Sequence, residues 1–294
     1  MKRQKHRILF LLLLTPYSLL LTFILGCGHP LHKTEIKLAS IKAYEIKGQE
    51  AFEAGDISVA NYSFNIALDL YTSIDCLEGV IRSYNNLAAV ALSKADCVKA
   101  KEYLHQAQEI EENYHYPEGK AITLGLWANY FSEQGSLDRA ISFELEAIKV
   151  SHKYNLKEPL AAAYNNLGEI YLKEARMVEA EKLFRKASSI NKRQKHWSNL
   201  AVNYYNLGLI YFKKKDLGQA KLFLKGALEY DQRALCPQSI ATDLEMLAQV
   251  AIEEGNLKLA NFYLSRALEI YKGINNKEKM VEVKEKLKRV SVSQ

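Results

Sequence analysis

At 294 residues, with 48% apolar and 25% charged residues, the chain is long enough to bury one or two globular cores or to form a repeat array. Lysine and arginine outnumber aspartate and glutamate 40 to 34, but four of the basic residues fall within positions 1–26, so the remainder carries 36 against 34, a net +2. That near-neutrality excludes the continuous basic face that nucleic-acid binding needs, and the short clusters Lys192-Arg193-Gln194-Lys195 and Lys213-Lys214-Lys215 read as solvated helix ends and turns.

The chain opens with Lys2, Arg3, Lys5 and Arg7, followed by an apolar run from Ile8 to Leu25 broken by Thr15, Pro16, Tyr17, Ser18 and Thr22, and then Gly26-Cys27. This order resembles a bacterial lipoprotein signal, in which a small residue precedes a cysteine that becomes lipidated and N-terminal after cleavage. Leu25 is bulkier than the residue usual beside the small one. An apolar run of this length also suits an uncleaved signal anchor. Both readings put the following residues outside the cytoplasm and tethered to a membrane, hence in a cell envelope. On the lipoprotein reading, residues 1–26 are a signal peptide and 27–36 a lipidated tether. Gly28, in place of an aspartate, then implies the outer membrane where the organism has one.

Internal periodicity governs the next segment, 37–275. Gly48, Ala88, Ala128, Gly168, Gly208 and Ala248 recur every 40 residues, as do Ala60, Ala100, Ala140, Ala180, Ala220 and Ala260, and again Ala67, Ala107, Ala147, Ala187, Ala227 and Ala267. Small residues at three phases let helix backbones approach, and larger residues between them fill the grooves: Phe64, Leu104, Phe184, Leu224 and Leu264 at one phase, and Leu87, Leu167, Leu207 and Leu247 at another. Repeat one departs with Lys47 at the leucine phase. Repeat three departs with Trp127 there and Glu144 at the aromatic phase, where Phe143 is the neighbour able to substitute.

Within one unit, Tyr164, Leu167, Gly168 and Tyr171 share a helix face, and Ala180, Phe184 and Ala187 share another after a polar break. This pattern resembles that of the tetratricopeptide-repeat family, in a long-period variety, and Tyr204, Leu207, Gly208, Tyr211, Ala220, Leu224 and Ala227 repeat it. The resemblance covers roughly 40–275 and implies an all-α fold, a right-handed α-solenoid of six tandem helix-turn-helix repeats. The common repeat is 34 residues, so about six more per unit are expected between repeats. Pro117, Pro159 and Pro237 fall near the starts of first helices, and Gly55, Gly135 and Gly255 in the turns within repeats. Residues 276–294, with Val281, Val283, Leu287 and Val290 among lysines and glutamates, read as a C-terminal capping helix and tail.

Beyond Cys27, Cys76 and Cys97 fall at opposite ends of one hairpin and Cys236 lies four repeats from Cys76, so free thiols are expected. No phosphate loop, nucleophile motif or ligand-spaced histidine group is present, so the reading is non-enzymatic, without cofactor, metal or small-molecule substrate. What packing does not demand is asparagine, a poor interior helix residue, at Asn86, Asn166 and Asn206 on one phase and at Asn85 and Asn165 beside it. In the family, that phase of the first helix lines the concave face, and an amide there resembles those that bond a bound peptide's backbone. The alternative is that the amides bond neighbouring helices and fix the packing. Glu169, Lys173 and Lys213, further along the same helices, are candidates to add selectivity. The expected partner is a peptide segment or protein subunit in the groove, in assembly or localisation of an envelope complex. A peptide-sensing regulatory role through a partner is the alternative.

Overall fold

The structure, a computed structural model, describes residues 30–292, with side chains from 38 to 291; the signal peptide 1–26 and Cys27 lie outside the described residues. Among the described residues there are thirteen α-helices and no strand: α1 (Pro30–Glu53), α2 (Ile57–Thr72), α3 (Leu77–Ser93), α4 (Cys97–Asn113), α5 (Pro117–Glu133), α6 (Leu137–Lys153), α7 (Lys157–Lys173), α8 (Met177–Gln194), α9 (Trp197–Lys213), α10 (Leu217–Ala234), α11 (Pro237–Glu253), α12 (Leu257–Gly273) and α13 (Lys277–Val292). Six hairpins, α1–α2 through α11–α12, stack in order, and α13 packs on α12 as the cap. The expected tether 27–36 is helical from Pro30 onward.

The extra residues of each unit do not lie between repeats. Joints are only two to four residues long, and most helices run 17 or 18 residues, so the added length goes into the helices, nearly one turn each. The turn within each hairpin is the same throughout. Gly55, Gly135 and Gly255 have φ of +79°, +73° and +73°, and Ala95, Ala175 and Lys215 adopt the same left-handed conformation at the equivalent positions. One residue later Asp56, Asp96, Asp216 and Asn256 cap the second helix by accepting from the backbone N–H three positions on.

The core runs the length of the stack. Every alanine of the two second-helix phases is at most 1% exposed. Gly48, Gly168 and Gly208 are required where they stand, because a Cβ would meet Phe64 at 2.5 Å, Phe184 at 2.8 Å and Leu224 at 2.7 Å. In repeat three Trp127 stacks on Phe131 and Phe143, centroids 5.7 and 6.1 Å away; Phe143 stands at its own phase, that of Tyr103, Phe223 and Tyr263, and Glu144 itself fills the buried position at the phase of Phe184.

Where one hairpin's second helix ends against the next first helix, polar couples recur at two phases. Glu111 accepts from Thr123 Oγ1 at 2.6 Å, and Asn203 Oδ1 accepts from Asn191 Nδ2 at 2.9 Å. Asp231 and Asp243, 5% and 1% exposed, occupy the same positions one repeat later. Burial pushes both carboxyls above the ordinary range, and the neighbouring Asp231 charge pushes Asp243 further, so the pair keeps a proton at neutral pH. A carboxyl whose folded value lies above its unfolded one, about 3.9, holds more protons folded than unfolded. Its stabilisation is therefore full below about pH 4 and is lost as pH rises. Asp243→Asn, which leaves Asp231 an uncharged amide neighbour in place of a second carboxyl, is expected to raise unfolding stability at neutral pH by at least about 1 kcal/mol. In urea titrations the gain over wild type should shrink towards pH 4.

Candidate functional site

The first helices form the inner face of the stack. α3, α5 and α7 touch one another directly across repeats, and a groove of about 390 Å³ is lined entirely by first helices, from Phe52 on α1 to Lys173 on α7. It brings together Leu126, Asn129, Ser132, Asn166, Glu169 and Lys173. Lys173 Nζ donates to Ser132 Oγ at 2.8 Å and pairs with Glu133 at 3.5 Å, tying the outer ends of α5 and α7.

Of the residues singled out from sequence, Asn166, Glu169 and Lys173 line this groove, and Asn86 and Lys213 do not. Asn85 is 2% exposed and turned into the stack, donating to the Gly119 carbonyl at 3.5 Å and accepting from Thr123 Oγ1 at 3.0 Å. Cys27 lies outside the described residues.

The amides of repeats four and five form a continuous chain. Asn191 donates to Asn203, and Asn203 donates to Asn165 Oδ1 at 2.9 Å. Asn206 Nδ2 lies 3.4 Å from the same oxygen and donates to Glu169 Oε1 at 3.1 Å, which also accepts from Asn165 at 2.8 Å. Asn166 donates to Glu144 Oε1 at 2.9 Å. One donor of each amide is thus spent on a neighbouring helix or carboxylate, which is the packing alternative at Asn85, Asn165 and Asn206. At Asn166 packing and groove lining coincide. Two carboxylates are held in place as a result: Glu169, exposed on the inner face, and Glu144, fully buried behind it. Burial holds the Glu144 carboxyl well above its usual range; the Asn166 bond opposes this and the Glu169 charge adds to it.

Asn129, Ser132 and Phe52 are groove residues that the sequence reading missed. Asn129 had a signal, since it lies one turn after Gly125 on the face that Asn166 shares in the next repeat, but its phase carries Gln49, Ala89, Glu169, Leu209 and Gln249 elsewhere, so asparagine does not recur there. Among the described residues no group of three histidine, cysteine, aspartate or glutamate side chains is arranged to hold a metal. Cys76, Cys97 and Cys236 are free, half-buried thiols. No helix of the described residues is long and apolar enough to cross a membrane.

Because Asn203 is 1% exposed and bonds in both directions, its removal leaves the Asn191 amide and the Asn165 carbonyl short of partners. Asn203→Ala is expected to lower stability by about 2 kcal/mol in denaturant titration. Asn129→Ala, which breaks no bond seen in the structure, should leave it within about 0.5 kcal/mol.

Comparison with known proteins agrees with this geometry. Residues 159–233 match the tetratricopeptide repeat family. No curated protein matches the chain. Among solved structures it is similar to BtubC (BKLC) from P. vanneervenii, at 21% identity and a TM-score of 0.59 over 79% of this chain and 92% of that one. It is also similar to a Rap protein complexed with competence and sporulation factor, at 15% identity and TM-score 0.63 over 85% and 74%. A third similar structure is aspartyl phosphate phosphatase F from Bacillus subtilis, at 14% identity and TM-score 0.56 over 89% and 73%. With its fourth and fifth hairpins matched to the repeat and its stack superposing on these chains, the protein has the fold of a tetratricopeptide-like solenoid.

Proposed function

We propose that this chain is a non-catalytic interaction scaffold, anchored to a membrane through lipid on Cys27, that takes a peptide segment or protein subunit on its inner face and serves an envelope complex. The observation that carries the binding reading is the groove lined by the first helices of four successive repeats. Its wall offers Leu126 and Phe52 for apolar contact and Asn129, Asn166, Glu169 and Lys173 for polar contact, a mixture suited to an extended or helical segment. That a Rap protein of similar fold is solved with competence and sporulation factor supports an occupant of the array. The same likeness favours, as a second reading, a regulatory protein that senses a peptide and acts through a partner. The anchor rests on the basic, apolar and Gly26-Cys27 order at the start of the chain.

Two measurements test these readings. Asn129→Ala combined with Lys173→Ala removes polar groups from the groove at the cost of an exposed ion pair to Glu133 and an exposed hydrogen bond to Ser132, both of little energetic weight. Recovery of partners from envelope extract by this folded double variant is expected to fall at least about tenfold, the effect of losing one or two well-placed hydrogen bonds. Undiminished recovery would place the partner surface elsewhere. Labelled palmitate is expected to enter the wild-type protein and not Cys27→Ala, with membrane association lost in parallel. Equal labelling of both would remove the lipid anchor from the proposal.

A further inference from the structure

Two departures from the repeat pattern coincide where the third and fourth repeats meet. At the phase of Phe64, Leu104, Phe184, Leu224 and Leu264, repeat three carries Glu144. At the phase of Glu45, Asn85, Asn165, Tyr205 and Glu245 it carries Gly125, on the helix paired with that of Glu144. Glu144 is 0% exposed; its Oε1 accepts from Asn166, and its Oε2 is buried with no hydrogen-bond partner among the described residues. No cationic side chain pairs with it among those residues.

A cavity of about 170 Å³ is bordered by Glu144, walled by Ile122, Leu126, Pro159, Ala162 and Ala163, and shares Leu126, Asn129 and Asn166 with the inner groove. The glycine keeps it open. A Cβ at position 125 would lie 3.7 Å from Asn166 Nδ2 and 3.8 Å from Glu144 Oε1, so a longer side chain of the kind found at this phase elsewhere would extend across the carboxyl.

We propose that this cavity receives the primary ammonium of a lysine side chain, carried by the segment that occupies the inner groove, with Glu144 as its counter-ion. The proposal rests on the groove reading only for how the lysine arrives. A buried carboxyl oxygen without a partner is costly, and a positively charged donor relieves that cost most fully. Because Oε1 is already held by Asn166, one oxygen remains to be met, which suits the point charge of an ammonium; a guanidinium fork wants both oxygens. The apolar walls match a methylene stem. At about 30 Å³ per water-sized group, the cavity holds roughly five to six such groups, enough for the five heavy atoms of a lysine side chain. Burial holds the Glu144 carboxyl well above its usual range, and an entering ammonium favours the carboxylate, so the proton passes to solvent and the cavity ends neutral.

The probe is n-butylammonium, a lysine side chain without its backbone, titrated calorimetrically into the full chain against n-butanol and n-butylguanidinium. Wild type is expected to bind the ammonium at least about tenfold more tightly than either analogue, the range of one charge-assisted hydrogen bond, and to release a proton seen as a buffer-dependent heat. Glu144→Gln should lose both the preference and the proton release. Gly125→Val, which leaves Glu144 in place and fills the mouth of the cavity, should lose binding while its far-ultraviolet circular dichroism stays that of wild type. Equal binding of ammonium and alcohol by wild type, or an ammonium preference that survives Glu144→Gln, overturns the proposal. A guanidinium preference would also overturn it. Since the probe needs no groove-bound segment, its failure is separate from failure of partner capture by the groove variant, and either result can stand without the other.

Discussion

Close approach of helices is the constraint on which the rest of this molecule depends. Where α7 meets α8, Gly168 lets the Phe184 ring come within 2.8 Å of where a Cβ would be, and Gly208 does the same for Leu224 one repeat later. The alanines of the second helices are buried to within 1% along the whole stack, so each helix is held on more than one side by a neighbour too close to admit a larger residue. A stack built this way contacts mainly its sequence neighbours, and its stability is spread among joints. Each joint can therefore vary chemically while the backbone repeats, and the polar couples show this: the same two phases hold Glu111 and Thr123, Asn191 and Asn203, and Asp231 and Asp243. The two end repeats are fastened alike, Tyr71 donating to Glu45 and Tyr271 to Glu245, both at 2.8 Å.

The repeating part of this architecture was legible in the sequence because packing at fixed phase imposes the same residue size six times. Number of hairpins, position of turns and identity of the cap follow from Ala60, Ala67 and their copies, from Gly55, Gly135 and Gly255, and from the valine pattern after Asn276. What was not legible depends on contacts between units. The six additional residues went into helices and not joints, since a left-handed residue and an N-cap close each turn in three positions whatever the length of the flanking helices. Helix α1 reaches back to Pro30 because nothing in Leu31 to Thr34 breaks a helix.

The site was half legible for a related reason. Of the recurrent asparagines Asn86, Asn166 and Asn206, only Asn166 lines the groove, with Glu169 and Lys173 further along its helix. Recurrence, however, reports what all joints share, and shared amides are spent on the joints themselves: Asn85 on Gly119 and Thr123, Asn206 on Asn165 and Glu169. Residues that make a surface specific are those that break the pattern, and a search for periodicity passes over them. Asn129 and Ser132 belong to that class.

Repeat three concentrates such breaks. Trp127 replaces leucine and stacks with Phe131 and Phe143, which also stack on each other. The phase of Phe184 and Leu104 falls to Glu144, and Gly125 borders the cavity beside it. A core that needed only to be filled would have used leucine here, as three of the other five repeats do. The carboxyl instead stands behind a groove in which Asn166 bonds it and Glu169 is held by the Asn165 and Asn206 side chains. Burial raises the strength of any charge pair formed there, because the effective dielectric falls as water is excluded. On the proposal made above, a group reaching Glu144 would have to oppose it in charge and fit it in length, whereas contacts to Glu169 and Lys173 at the exposed rim would be weakened by solvent screening. On that proposal, selectivity on this face would be graded by depth, broad along the exposed rim and narrow at the joint between repeats three and four.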